Sequence, residues 1–93
     1  MTDQTPTDTL YLGGLDQRVT RRILWDLCIQ AGPVVRIHIP EEEGGIHRGY
    51  AFCQFTSVES ATYAHTLFQD LVLLFGRPLR VRYSHSGSTA NPA

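Results

Sequence analysis

A chain of 93 residues has room for one domain with a modest core. At 42% hydrophobic and 18% charged, with a formal net charge of −1, the composition is that of an ordinary soluble protein and argues against a binder that relies on bulk positive charge. The eight basic residues are all Arg. His38, His47, His65 and His85 share no metal-ligand spacing, and Cys28 and Cys53 fit no Cys-x-x-Cys pattern. Neither a metal nor a cofactor is therefore expected, and both cysteines read as buried free thiols. The longest apolar run, Leu71–Phe75, is too short to span a bilayer, and the N-terminus does not resemble a signal peptide. The expected setting is a reducing, intracellular one, with no membrane and no small-molecule substrate.

In chain order, residues 1–8 are polar, include Pro6 and read as a flexible lead-in. Thr9–Gly13 is the first predicted strand, with Leu10 and Leu12 toward the core and Tyr11 and Gly13 on the other face. Thr20 is an N-cap candidate for a helix running to about Ala31, where Gly32-Pro33 stops it. Leu24, Leu27, Cys28 and Ala31 form its inward stripe, which leaves Trp25 and Ile29, one turn apart, on a flank. Val34–Ile39 is the second strand, with Val35, Ile37 and Ile39 on one face and Arg36 and His38 on the other. Pro40 opens a loop holding Glu41–Glu43 and Gly44-Gly45. Arg48–Phe55 is the third strand, followed by a helix from about Val58 to Gln69 with Ala61, Ala64, Leu67 and Phe68 inward. Leu71–Gly76 is apolar and turn-like. In the last strand, Leu79–Tyr83, Leu79, Val81 and Tyr83 point inward and Arg80 and Arg82 outward. Residues 85–93 read as a flexible linker, which leaves 9–84 as the domain.

The order βαββαβ predicts an α+β, ferredoxin-like sandwich: a four-stranded antiparallel sheet with two helices on one face. The chemistry concentrates on the opposite face. In Arg48–Phe55, RGYAFCQF, the alternation puts Tyr50, Phe52 and Gln54 on one side and Ala51, Cys53 and Phe55 on the other. One exposed aromatic on a strand reflects ordinary β-propensity. Tyr11, Tyr50 and Phe52 converging on an open face, with Arg48 beside them, instead suit the flat faces of nucleobases. Arg36, His38, Gln54, Arg80 and Arg82 ring that face and can reach phosphates, 2′-hydroxyls or base edges. Glu41–Glu43 opposes them and is expected to weaken RNA binding.

RGYAFCQF resembles the octamer of the RNA-recognition motif, with Cys53 in place of the usual Val. Leu10–Leu15, LYLGGL, resembles that family's hexamer, with Gly14 where Asn is usual. The resemblance covers residues 9–84 and implies single-stranded RNA as the ligand. A narrower one follows from LYLGGLDQRVT, ILWDLCIQAGPVVRIHIP and FGRPLRV. These resemble the first RNA-recognition motif of the small subunit of the splicing factor 3b complex, part of the branch-site small nuclear ribonucleoprotein. That resemblance implies a nuclear protein bound to pre-mRNA near the branch site, with a larger protein subunit of the same complex on its helical face. Trp25, Ile29, Tyr63, Leu73 and Phe75 are the expected partner-binding residues. A related domain of the nuclear exosome targeting complex has a similar Gln-Ala-Gly-Pro-Val stretch and is the alternative, as is a protein-interaction module with little RNA binding. The acidic loop departs from both families, where Lys-containing loops are common.

Catalysis is not expected. Acylphosphatases share the ferredoxin-like plan but hold acyl phosphate with an Arg-containing glycine loop and a strand Asn. Residues 13–18, GGLDQR, do not resemble that loop, and the only Asn is Asn91 in the tail. No Ser/His/Asp or Cys/His set falls on adjacent loop ends.

Overall fold

The computed structural model describes residues 4–40, 47–69 and 71–85. The Glu41–Glu43 run and Asn91 lie outside the described residues. The elements are β1 (Thr9–Gly13), α1 (Arg21–Cys28), β2 (Val34–His38), β3 (Tyr50–Phe55), α2 (Val58–Phe68), β4 (Leu73–Leu74), β5 (Arg77–Pro78) and β6 (Arg80–Tyr83). The main sheet is antiparallel in the order β2-β3-β1-β6, so the two strands that carry the hexamer and octamer lie side by side at its centre. α1 packs chiefly over β2, and α2 over β1, β3 and β6. Leu10, Leu12, Ala51, Cys53, Phe55 and Val81 supply the sheet side of the core. Leu24 and Cys28 of α1 and Ala61, Ala64 and Phe68 of α2 supply the helix side.

Both helices start where a hydroxyl satisfies an otherwise unpaired first-turn N–H. Thr20 Oγ1 accepts the Ile23 N–H at 3.2 Å, and Ser57 Oγ accepts the Ser60 N–H at 3.1 Å. α1 ends at Cys28, earlier than Ala31, because the Gln30 and Ala31 N–H groups bond three residues back and tighten the last turn. Gly32 also meets a packing demand there: a Cβ on it would lie 2.6 Å from Ser60 Oγ at the start of α2.

Two expected core faces are corrected. The β2–β3 register shifts between Val34 and Arg36, so Val35 is an inserted residue. One extra residue exchanges the faces, which leaves Val35 exposed while Val34 packs on the core with Ile37. In α2, Leu67 is 38% exposed instead of inward. Ala61, Ala64 and Phe68 already complete the stripe at spacings of three and four, and Leu67 falls on the flank shared with Tyr63.

Leu71–Gly76, expected as a turn, contains half of a hairpin. Leu73 pairs with Pro78 and Leu74 with Arg77, around Phe75 at φ 54° and Gly76 at φ 77°. Two consecutive positive φ values match the twist of a two-residue hairpin. Gly adopts them readily, whereas a bulky residue such as Phe75 is strained there. The Phe75 ring lies under the Arg18 guanidinium, 4.4 Å from ring centroid to Arg18 Cζ.

The outer edge of β6 is closed by amide side chains. Gln69 Nε2 donates to the Val81 carbonyl and Gln69 Oε1 accepts the Val81 N–H, at 3.1 and 3.2 Å. Gln4 Oε1 accepts the Tyr83 N–H at 3.2 Å. Residues 4–8 run beside this end of the sheet, where Thr7 Oγ1 donates to the Ser84 carbonyl. An edge strand so occupied offers few free groups for pairing with another strand.

Candidate nucleic-acid interface

The register of the sheet sets the open face in three cross-strand rows. Arg36, Gln54 and Thr9 form the first, and His38, Phe52, Tyr11 and Arg82 the second. Tyr50, Gly13 and Arg80 form the third. Strand alternation alone puts these residues on one side, because Leu10, Leu12, Ala51, Cys53 and Val81 are buried on the other. The residues expected to form the platform are therefore together. Tyr11 lies 5.7 Å from Tyr50 and 5.9 Å from Phe52, and Tyr50 lies 5.8 Å from Phe52, centroid to centroid. All three residues are half-buried.

Their orientations differ. Tyr11 and Tyr50 are inclined by 26° to one another, whereas Phe52 is turned 66° from Tyr11 and 87° from Tyr50. His38, on the edge strand, is close to parallel with Phe52, at 17° and 6.5 Å. The face thus carries a pair of nearly aligned tyrosines and, beside it, a second pair turned across them. Arg36, Arg80, Arg82 and Arg48 are exposed around the rings. Gln54 is tied down: its Nε2 donates to Asp8 Oδ2 at 3.2 Å, while Asp8 Oδ1 accepts from Thr9 Oγ1.

One residue essential to this geometry has no signal in the sequence. The His47 ring is buried, and its Nδ1 accepts the Gly49 N–H at 2.9 Å. The hydrogen therefore sits on Nε2, which is 3.0 Å from the Asp16 carbonyl and donates to it. Gln17 Nε2 donates to the His47 carbonyl, and the Leu15 N–H donates to the Gly49 carbonyl. These bonds pin the start of β3 to the loop after β1, with Gly49 at φ 89° supplying the bend that an L side chain resists. No hydrophobic period marks a His that ties Gly49, two residues on, to Asp16, 31 residues back.

The same loop carries the Asp16–Arg18 ion pair, at 2.8 Å. Hydrogen bonds from the Arg18 side chain and backbone hold the Asp16 carboxyl down to about 2. In the core, a hydrogen bond with the Cys28 thiol, reinforced by burial, pushes the Cys53 thiol up. Both cysteines are free and buried, and a protonated buried thiol is a poor nucleophile. Among the described residues, no group of three or more His, Cys, Asp or Glu comes together, and no helix is long and apolar enough to cross a membrane.

On the helical side, Trp25 is half-buried against the core, whereas Ile29 is 47% and Tyr63 56% exposed. Ser60 abuts Gly32, just past the end of α1, and Tyr63 and Leu67 follow Ser60 along one flank of α2. Leu73 and Phe75 belong to the hairpin. Arg18, three residues before the start of α1, covers Phe75.

Comparison with known proteins decides the family: a family model described as RNA recognition motif matches residues 10–80. The chain belongs to the RNA recognition motif family. Within it, the chain is 46% identical to spliceosome-associated protein 49 of Schizosaccharomyces pombe over 80 residues, 85% of this chain and 24% of that protein. It is 46% identical to human splicing factor 3B subunit 4 over 74 residues, 78% of this chain and 17% of that one. It is 37% identical to human RNA-binding protein 7 over 84 residues, 90% of this chain and 31% of that one. The chain thus spans less than a third of each of these relatives. Among solved structures, the Rna15 RNA-recognition motif with bound RNA (GU) superposes with a TM-score of 0.79 at 31% identity, covering 89% of this chain and 93% of that one. The ferredoxin-like α+β fold read from the element order is the fold of this family.

Proposed function

We propose that this domain binds single-stranded RNA on its open sheet face, acting in pre-mRNA splicing in the nucleus by recognition and not by catalysis. The observation that carries this reading is the trio Tyr11, Tyr50 and Phe52, three rings within 6 Å of one another on the two central strands, with arginines around them. Stacking on such rings contributes about 1–3 kcal/mol per base and tolerates any base. Arg36, Arg48, Arg80 and Arg82 contact the phosphates, with His38 and Gln54 at the margin. Support comes from the RNA-bound Rna15 neighbour and from the spliceosomal names of the 46% identical relatives. The RNA is pre-mRNA near the branch site. Titrating labelled single-stranded RNA into wild-type and Tyr50→Ala/Phe52→Ala proteins tests the sheet. Equal affinity in a folded double variant refutes it.

The helical face takes a larger protein subunit of the same complex. The exposed apolar side chains Ile29 and Tyr63, with Trp25 half-buried against the core, favour this second reading. Leu73 and Phe75 extend the contact along the hairpin. Exposed large apolar side chains on one side of a domain are a common mark of a protein interface. Recovery of a spliceosomal subunit from nuclear extract by wild-type protein, and its loss with Ile29→Ala/Tyr63→Ala, is the expected result. Recovery unchanged by that pair of substitutions refutes the docking.

A further inference from the structure

Gly13 ends β1 in the last row of the open face, opposite Tyr50 on one side and Arg80 on the other. A glycine in a strand costs conformational entropy and contributes no side chain to packing. Backbone conformation does not require one here. Among the described residues, the glycines with left-handed φ are Gly14, Gly49 and Gly76, and Gly13 is not one of them. Core packing does not require one either, since position 13 faces away from the helices.

What occupies the space is Tyr11. A Cβ built on Gly13 would lie 2.7 Å from Tyr11 Cε1, 2.7 Å from its hydroxyl oxygen and 2.9 Å from Cζ. All three separations are well inside van der Waals contact, and no other residue's atoms are as close. Two strand residues rise by about 6.6 Å, about the reach of a tyrosine from Cα to hydroxyl. The Tyr11 ring therefore reclines along β1, with its tip over the Gly13 backbone, and Gly13 is buried although it has no side chain of its own. In that posture the ring comes within 5.7 Å of Tyr50, inclined by only 26°.

We infer that Gly13 is a positioning residue for the RNA-binding face: its missing Cβ lets Tyr11 recline beside Tyr50 and form a continuous two-ring floor. The inference rests on the sheet's being the RNA-binding surface. It adds that the floor depends on a residue with no stacking group of its own. An alanine at position 13 fits the strand backbone but lifts the Tyr11 ring into another rotamer. The aligned pair is then lost, while the core beneath is untouched.

The test is a double-mutant cycle on Tyr11 and Gly13, read by fluorescence anisotropy with 5′-fluorescein octauridylate and octaadenylate. Tyr11→Ala is expected to weaken binding by about five-fold or more, and Gly13→Ala by about three-fold or more. In the Tyr11→Ala background, Gly13→Ala should change affinity by less than about two-fold, because the ring through which it acts is gone. An RNA-independent readout accompanies it. The Gly13 Hα resonances should carry a ring-current shift from the Tyr11 ring in wild-type protein and return toward ordinary values in Tyr11→Ala. This measurement does not depend on the folding of Gly13→Ala.

Gly13→Ala binding like wild type while Tyr11→Ala is weak would overturn the inference and leave the RNA-binding face standing. So would a Gly13→Ala loss that persists in full without Tyr11, or Gly13 Hα shifts indifferent to Tyr11→Ala. Wild-type protein that binds neither oligonucleotide, or Tyr11→Ala that binds as well as wild type, would remove the stacking reading itself and this inference with it.

Discussion

The two faces of the sheet expose aromatic and aliphatic groups for different reasons. On the open face, Tyr11, Tyr50 and Phe52 stand outside the core because strand alternation is binary: when Leu10, Leu12, Ala51 and Cys53 point in, their neighbours point out. On the helical face, exposure is graded. Successive helix positions turn by 100°, so a flank residue is covered or bare according to what packs beside it. Trp25 is half covered, Ile29 is 47% exposed, and Leu67 sits at 38% although it adjoins a fully inward Phe68. Exposure on a strand is thus written in the register, whereas exposure on a helix is left over from packing.

The sharpest way to break this contrast is to remove rings from the sheet. Tyr50→Ala/Phe52→Ala should weaken single-stranded RNA binding by about 2 kcal/mol or more, because each ring stacks about one base. Chemical denaturation should be little changed, since both rings lie outside the core. A large loss of stability would mean that these rings hold the fold.

The helical face should respond in the opposite sense. Trp25→Ala should destabilise the domain by about 1–3 kcal/mol, as expected for a partly buried large side chain. Ile29→Ala, at an exposed position, should shift stability by about 0.5 kcal/mol or less. Neither should alter RNA affinity measurably, because the sheet separates the two surfaces. Urea unfolding and RNA titration of both variants provide the check. An RNA affinity that follows Trp25 would join the two faces into one coupled unit.

His47 tests the frame that presents the rings. His47→Ala leaves the Gly49 N–H and the Asp16 carbonyl without their partner and should cost about 1–3 kcal/mol. RNA affinity should fall as well, since the start of β3 loses its anchor. His47→Asn, which retains a donor and an acceptor, should recover part of both. Stability that is lost without any change in RNA affinity would confine His47 to folding.

The smallest effect belongs to Asp16. Its carboxyl is held down to about 2, below its ordinary value of 3.8, by hydrogen bonds from Arg18. A lowered folded-state value means that the stabilisation is present above about pH 4 and disappears as the pH falls toward 2. Asp16→Asn should therefore flatten the acid limb of a stability–pH curve in that window and alter little near neutrality. Because Arg18 is exposed and Asp16 keeps some contact with solvent, added salt should shrink the difference. An unchanged acid limb would show that the pair contributes nothing to folding.

Much of the architecture was legible because it is encoded locally. The strand faces of Thr9–Gly13 and Tyr50–Phe55 follow from period-two alternation. The Thr20 cap follows from a hydroxyl just before an apolar helical stripe. The Gly49 bend follows from a glycine at the mouth of a strand. The octamer and hexamer lie side by side because βαββαβ connectivity leaves few other pairings. Where the reading failed, a distant neighbour had decided the matter. The inserted Val35 is a property of pairing with β3, and Leu67 lost its core position to Phe68 under a sheet it does not itself specify.

By itself, then, the sequence determined which residues line the open face, where the helices begin and the order of the elements, since each depends on neighbours within a turn or a strand. Only the tertiary structure decided the functional posture of those residues. Tyr11 reclines over Gly13 toward Tyr50, His47 ties two loops together, Gln69 closes the edge of β6, and Arg18 caps a strained Phe75. The physical reason is one of range. Periodicity and capping are properties of consecutive residues, whereas ring angles, buried hydrogen bonds and edge closure depend on separate segments meeting at contact distance, where a shift of an ångström changes which groups touch.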